Sequence, residues 1–207
     1  MPPLLADRSF ADRKVEGTAV EWLLLDLLTA AGMTVQPNQA NWDEAANAQN
    51  AARAFSEQGG LHLPDLEAIA PIRMGFEVKS KEPRAKDGSI GWDSYAFHRA
   101  ERWQEQTGSP VLYVIRDRSI APLPASRSEP DNLGAWYCAG LHALRQSESD
   151  LIQKLIPSQD DGVPKIGATR FWPRGVFWPL ADLLEGRVTV APVLLRPKSG
   201  FGVSRLL

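Results

Sequence analysis

Three residues near the middle of the chain have the types and the spacing for phosphate chemistry. Asp65 follows Pro64, and after a gap of eleven residues the chain continues with Glu77-Val78-Lys79. Two neighbouring carboxylates repel each other unless a cation lies between them, and hard oxygen ligands suit Mg²⁺, which keeps several of its waters. A metal-bound water beside an ammonium group is a nucleophile that can attack a phosphodiester. The pattern therefore predicts a metal site able to hydrolyse phosphate esters.

The sequence around these residues predicts two strands that can bring them together. Residues 62–69 and 73–81 contain short apolar runs separated by the turn-like Ala70-Pro71. If the strands pair, the two acids become neighbours. Because side chains alternate along a strand, the acid and the Lys of Glu-x-Lys share one side, while the apolar residues can be buried. The alternative is a pair of ordinary strands with solvated charges, which is how we interpret the other acid-x-Lys, Asp12-Arg13-Lys14.

A first helix is predicted from Ser9 to Gly32, with the glycine in the position of a C-terminal stop. From Ala19 to Ala31 the residues are apolar on almost every side, which is typical of a buried helix. Buried carboxylates are costly unless they have a partner or a role. An Arg partner or a route to the surface explains Asp26. The same explanation is open for Glu21, which is nevertheless a candidate site residue.

These motifs resemble a known nuclease superfamily. Pro64-Asp65 and Glu77-Val78-Lys79 together resemble the signature of the PD-(D/E)XK nucleases. Gly17-Thr18-Ala19-Val20-Glu21, followed by Gly32 and Val35, resembles the opening helix of archaeal Holliday-junction resolvases in that superfamily. The match is short and lies in the first half of the chain.

The resemblance implies a metal-dependent nuclease, most simply a DNA endonuclease. Asp65 and Glu77 would bind Mg²⁺, for which Mn²⁺ can substitute, together with the backbone carbonyl of Val78. Lys79 would orient or help to deprotonate the attacking water, and Glu21 would hold a second metal or a water. Hydrolysis would leave a 5′-phosphate. The alternative is a non-catalytic nucleic-acid-binding or assembly module that retains the fold, and the complete acidic set with its Lys argues against it.

The order of predicted elements fits an α/β, restriction-endonuclease-like fold. The first helix is followed by strands at 34–36, 62–69 and 73–81, a helix capped by Asp93 or Ser94 that ends near Thr107, and a strand at 111–115. This is an αβββαβ core with a central mixed sheet flanked by helices, in which strand-helix-strand implies a parallel crossover. The core spans residues 1–117. Its insertion at 38–60, with a helix at 42–56, is either a flap over the site or a structural insertion.

Residues 118–207 are predicted to form a C-terminal α/β extension packed on the core. In order, it comprises a loop at 118–132, a strand at 135–139, helices at 147–156 and 179–186, a strand at 188–195 and a basic tail at 196–207. Phe-Trp-Pro occurs twice, at 171–173 and 177–179. Aromatic rings beside an Arg can stack on bases, but packing onto a core is their commoner use, and we expect packing.

Basic and polar residues after the Glu-x-Lys strand are further candidates. The expected phosphate contacts are Lys81, Arg84, Lys86 and Arg99, although charged loops are often only solvated. Tyr95 and His98 occupy the part of the following helix from which related nucleases add a polar residue to the site. For His98, a position at the surface or the edge of the core is the simpler interpretation.

The composition is that of a soluble globular protein, with 43% hydrophobic and 23% charged residues among 207. A net charge of −2 provides no general attraction to nucleic acid, so DNA binding would need a local basic patch. The single cysteine, Cys138, excludes an internal disulfide and a cysteine-rich zinc site. Because no apolar run approaches transmembrane length, we expect a cytoplasmic protein without a membrane partner. Cutting both DNA strands would call for a homodimer or two successive events.

Overall fold

A computed structural model describes residues 10–38, 63–156, 165–188 and 190. Several predictions lie wholly or largely outside these ranges: the Ser9 cap, the helix at 42–56, the strand at 188–195 and the basic tail.

The helices are α1 (Phe10–Ala30), α2 (Ser94–Thr107), α3 (Leu141–Gln146) and α4 (Leu180–Leu184). The strands are β1 (Thr34–Pro37), β2 (Leu66–Ala70), β3 (Met74–Lys81), β4 (Ile90–Asp93), β5 (Val111–Asp117), β6 (Trp136–Gly140), β7 (Asp150–Ile156), β8 (Lys165–Trp172) and β9 (Trp178–Pro179). None of the helices in the described ranges is long and apolar enough to cross a membrane.

The central sheet is mixed, as the sequence predicts. Among the described residues its strands lie in the order β1-β2-β3-β5-β6-β9. β3 and β5 are parallel, with Gly75 opposite Val111, whereas the other neighbouring pairs are antiparallel. The elements α1, β1, β2, β3, α2 and β5 follow one another in the predicted αβββαβ order, with β4 inserted before α2. The predicted α/β fold class is confirmed.

The two faces of the central sheet carry separate cores. On one face α1 and α4 cover the sheet, and Leu24 of α1 packs in the same cluster as Phe76 of β3. On the other face lie α2 and α3, with Trp103 of α2 in the same cluster as Tyr113 of β5. Glu77 is opposite Tyr113 in register, and side chains alternate along a strand, so Glu77 faces α2.

A second sheet, which the sequence does not predict, contains β4, β8 and β7 in that spatial order, all antiparallel. The prediction of a helix at 147–156 is wrong, because α3 ends at Gln146 and Asp150–Ile156 forms β7. β7 pairs along its whole length with β8, from Asp150 opposite Phe171 to Ile156 opposite Lys165. Pairing with a strand that comes later in the chain overrides the local helix propensity of this segment.

The aromatic Phe-Trp-Pro segments pack against the core, as expected. Trp172 is buried beside Phe97, with ring centroids 5.3 Å apart, and its indole N–H donates to the carbonyl of Leu144 at 2.8 Å. Phe177 meets the ring of Tyr113 edge-on, with centroids 6.2 Å apart. These rings therefore join residues beyond 117 to the α2 side of the core.

A buried ion pair holds the predicted loop at 118–132. Arg116 is fully buried and donates to both carboxylate oxygens of Asp131, at 2.8 and 2.6 Å. Its guanidinium also donates to two loop carbonyls, and the indole of Trp136 donates to the same carboxylate at 2.7 Å. A buried charge needs such partners, so the loop is attached to the end of β5 rather than merely following it.

Gly75 permits the closest packing near the candidate site. A methyl group at Gly75 would lie 2.7 Å from Cγ of Pro64 and 3.1 Å from the ring of Trp103. The N–H of Gly75 donates to the carbonyl of Pro110 at 2.9 Å, so β3 has little freedom to move away. Because Pro64 directly precedes Asp65, this contact helps to set the position of the Asp65 carboxylate.

Gly75→Ala should lower the free energy of unfolding by about 1–3 kcal/mol, because the added methyl overpacks the contact with Pro64 and Trp103. Gly17→Ala in α1 is the matched control, since nothing lies within 4 Å of the added methyl. It should raise stability by about 0.5–1 kcal/mol through helix propensity. Urea unfolding at neutral pH measures both variants. Stabilisation of the same size by both would show that Pro64 and Trp103 do not constrain Gly75.

Candidate active site

Asp65 and Glu77 lie side by side, just before β2 and in the middle of β3. Leu66 pairs with Phe76 in antiparallel register, so Asp65, one residue earlier, comes opposite Glu77. Only 6% of Asp65 and 2% of Glu77 are exposed. The backbone N–H of Val78 donates to Oδ2 of Asp65 at 2.8 Å and fixes that carboxylate against β3.

The ammonium group of Lys79 contacts both carboxylates. Its Nζ is 2.9 Å from Oδ2 of Asp65 and 3.5 Å from Oε2 of Glu77, and the side chain is 34% exposed. Burial acts to lower the pKa of Lys79, but the charges of Asp65 and Glu77 outweigh it and raise this pKa above its ordinary value. Lys79 is therefore a cation at neutral pH, with an accessible side beside two acids.

Glu77 carries the most informative carboxyl group of the site. Burial, followed by repulsion from Asp65, raises the pKa of Glu77 from its ordinary 4.5 to about 8, although Lys79 and Arg99 oppose the change. Two acids in one buried place repel each other, so ionising both is costly even with an ammonium beside them. A further cation at this point would favour ionisation of Glu77.

Tyr113 of β5 lies next to Glu77 in the sheet and is hydrogen-bonded to β4. The sequence analysis predicted neither the role of Tyr113 nor β4. Tyr113 is opposite Glu77 in register, and its hydroxyl donates to the carbonyl of Gly91 at 2.9 Å. Its ring stacks on Trp92, with centroids 4.1 Å apart and planes 5° from parallel. A tyrosine inside the apolar run of β5 was the available signal, because a buried phenol needs a polar partner.

Glu21, the third acid among the candidate site residues, is also nearly buried. It is 7% exposed and sits on α1, whose core residues pack on the sheet face opposite to Glu77. In the part of the chain that the structure describes, no three His, Cys, Asp or Glu side chains gather closely enough to hold a metal ion. The structure brings Asp65, Glu77 and Lys79 together, and the role of Glu21 stays a prediction.

The predicted phosphate contacts have different surroundings. Lys81 follows Lys79 on the same face of β3, and burial, together with the neighbouring charges of Lys79 and Arg118, lowers its pKa. Arg84 is ion-paired with Asp87 and Asp150, and its guanidinium lies 4.7 Å from the ring centre of Phe171. The remaining candidate in this segment, Lys86, is exposed. Their contact with phosphate stays a prediction.

On α2, Tyr95 and Arg99 lie together, whereas His98 has its own partner. The guanidinium of Arg99 is 4.7 Å from the ring centre of Tyr95, which is 65% exposed. Nδ1 of His98 is 2.8 Å from Oε2 of Glu101, and both residues line a cavity next to α3. The contribution of these residues to function stays a prediction.

Two solved structures, both of nucleases, resemble this fold. Hjc, a Holliday junction resolvase from Archaeoglobus fulgidus, superposes with a TM-score of 0.43 and 14% identity, covering 82% of this chain and 96% of Hjc. D212, a nuclease from a fusselovirus, gives a TM-score of 0.41 and 10% identity over 86% of this chain and 92% of D212. At identities of 14% and 10%, the likeness concerns the fold alone.

No protein-family model matches the chain, and no curated protein matches it.

Without added metal ions, the stability of the protein should fall as pH rises from about 5 to about 8 because of Glu77. A carboxyl whose pKa is raised by folding takes up a proton on folding, so acid favours the folded state. The contribution is complete below the ordinary pKa of Glu77 and is lost as pH rises through about 8. Glu77→Gln cannot titrate and should flatten this dependence.

Urea unfolding in EDTA across this pH range measures the effect, with the exposed Glu105→Gln on α2 as control. Glu105→Gln should keep the wild-type slope. If stability falls equally steeply with pH in Glu77→Gln, the effect does not come from the raised pKa of Glu77.

Proposed function

We propose that the protein is a metal-dependent nuclease of the PD-(D/E)XK type that hydrolyses phosphodiester bonds in DNA. The observation that carries this proposal is the position of the Lys79 ammonium, 2.9 Å from Asp65 and 3.5 Å from Glu77. Two nearly buried carboxylates and an accessible ammonium at one point serve no packing purpose, and burying them is costly. They do suit a reaction that needs both a metal ion and a cation near a phosphate.

The residues present fit Mg²⁺, with Mn²⁺ as a substitute. Asp65 and Glu77 offer hard oxygen ligands, and the raised pKa of Glu77 indicates a place that is short of positive charge. The backbone carbonyl of Val78 would complete the protein ligands, and Glu21 would act through a water or at a second position. When bound, the metal supplies an activated water and neutralises charge on the phosphate.

Lys79 is better suited to stabilising charge than to removing a proton. Because its pKa is raised by Asp65 and Glu77, it stays protonated and can donate to the attacking water or to a phosphate oxygen. In the hydrolysis, the water oxygen forms a new bond to phosphorus and the bond from phosphorus to O3′ breaks. The water loses one proton to solvent and O3′ gains one, which leaves a 5′-phosphate and a 3′-hydroxyl.

The proposal extends to features that follow from this chemistry. The partner is DNA, and Lys81, Arg84 and Lys86 contact phosphates outside the reacting centre. A cytoplasmic location and a homodimer that cuts both strands are predictions of the same proposal. A non-catalytic module of the same fold would bind DNA without cleaving it.

Lys79→Ala should still bind DNA in Ca²⁺ but lose roughly 100-fold or more in the rate of cleavage in Mg²⁺, because the ammonium acts on the reacting phosphate. Lys79→Arg should also be poor, since a planar guanidinium cannot replace a compact ammonium between two carboxylates. The measurement is single-turnover cleavage, alongside a binding titration in Ca²⁺. A four-way junction, linear duplex, single strand and RNA are compared to find the preferred substrate.

Lys86→Ala provides the contrast, because Lys86 is exposed. It should weaken binding and reduce its salt dependence, with the rate at saturating protein unchanged. Binding without cleavage by the wild-type protein would favour the non-catalytic module. Cleavage by Lys79→Ala at the wild-type rate would remove Lys79 from the mechanism.

A further inference from the structure

α2 lies across β3 in a register that can be deduced from two contacts. The ring of Trp103 packs on Gly75, 3.1 Å from the position of a Cβ atom there. Only residues 108–110 separate the end of α2 from Val111, which is opposite Gly75 in the sheet. The C-terminal end of α2 therefore lies over the beginning of β3, and the helix runs antiparallel to the strand.

This direction places Arg99 over Glu77. Arg99 precedes Trp103 by four residues, which is one helical turn and about 6 Å along the axis. Glu77 follows Gly75 by two residues, which is about 6.6 Å along the strand on the same face. Because α2 runs antiparallel to β3, moving from Trp103 to Arg99 covers about the same distance in the same direction as moving from Gly75 to Glu77. Arg99 therefore lies above Glu77. In agreement, the charge of Arg99 acts to lower the pKa of Glu77.

The guanidinium of Arg99 is held in place but retains hydrogen-bonding capacity. It lies 4.7 Å from the ring centre of Tyr95, a cation–π arrangement that restrains its orientation. Its Nε is buried and has no hydrogen-bond partner among the described residues. An oriented guanidinium with an unused donor, beside a site that is to receive a phosphate, is suited to an anionic ligand.

We propose that Arg99 is a further catalytic residue, whose guanidinium donates to a non-bridging oxygen of the scissile phosphate. This inference rests on the proposed nuclease function. Lys79 approaches that phosphate from the strand and Arg99 from the helix, while Asp65 and Glu77 provide the metal ligands. Arg99 stabilises the negative charge that increases on the phosphate oxygens in the transition state. Tyr95 supports the guanidinium from its outer side.

The competing explanation is that Arg99 serves only as a counter-ion of Glu77. The two roles differ in what replaces the missing group. If Arg99 binds phosphate, free guanidinium ions can enter the space in Arg99→Ala and restore part of the rate. If Arg99 only favours ionisation of Glu77, raising the pH restores the rate by itself, and guanidinium ions have no specific effect.

The test is single-turnover cleavage of a supercoiled plasmid in Mg²⁺ by wild type, Arg99→Ala and Arg99→Met. The Met variant keeps an aliphatic chain against Tyr95 and covers the case in which Ala disturbs the helix. Both should lose on the order of 100-fold in rate, as is typical when one preorganised donor to a transition-state oxyanion is removed. Binding in Ca²⁺ should change far less. Arg102→Ala, at an exposed position on the same helix, is the control and should cleave like wild type.

Millimolar guanidinium chloride should raise the rate of Arg99→Ala and leave that of Arg102→Ala unchanged. Wild-type cleavage by both Arg99 variants would overturn the proposal while leaving the nuclease function intact. Full recovery of Arg99→Ala at alkaline pH without guanidinium would also overturn it and assign Arg99 as a counter-ion. A wild-type protein that cleaves no DNA in Mg²⁺ would overturn the nuclease function and this proposal together.

Discussion

The repulsion between two nearly buried carboxylates is the constraint on which the rest of the structure depends. Asp65 and Glu77 come together because β2 and β3 pair in one register, and the Val78 N–H keeps Asp65 from turning away. Lys79 relieves part of the repulsion, yet the pKa of Glu77 is still raised to about 8. The fold therefore maintains a point that is short of positive charge, and this is the property that a metal-dependent site requires.

Keeping Asp65 and Glu77 together requires that the backbone of β3 stays in place. β3 lies between β2 and β5, and Gly75 is packed closely between Pro64 and Trp103. If β3 could move, the acids would separate and the charge conflict would disappear. Tyr113, opposite Glu77 in register, is itself packed between aromatic rings, stacked on Trp92 and edge-on to Phe177, and Glu77 is only 2% exposed. Packing therefore holds the two acids together, while Lys79 and Arg99 offset part of their repulsion.

The parts of the fold that could be predicted are those with local signals. Gly32 and Gly108 have positive φ angles of 85° and 70° near helix ends, where glycine is favoured, and the side chain of Asp93 accepts from Ala96 N–H at the start of α2. The alternation of β3 was sufficient to place Glu77 and Lys79 on one side. The Pro-Asp motif then indicated which acid would lie opposite.

The parts that could not be predicted depend on partners distant in the sequence. β7 has no strand signal of its own that distinguishes it from a helix, and only pairing with β8 decides it. β4 is short, and its contact with Tyr113 appears only after folding. The position of Arg99 above Glu77 likewise follows from the packing of Trp103 on Gly75, which no spacing in the sequence reveals.

The central claim is that Glu77 holds a proton beside Asp65 until a metal ion binds. Calorimetric titration with Mn²⁺ at pH 7, in two buffers of different ionisation enthalpy, tests this claim most directly. The wild-type protein should bind Mn²⁺ and release close to one proton, because Glu77 must ionise to become a ligand. Asp65→Asn should lose most of the binding, since one ligand and much of the local negative charge are removed. Mn²⁺ binding of unchanged affinity in Asp65→Asn, or binding by wild type without proton release, would contradict this account.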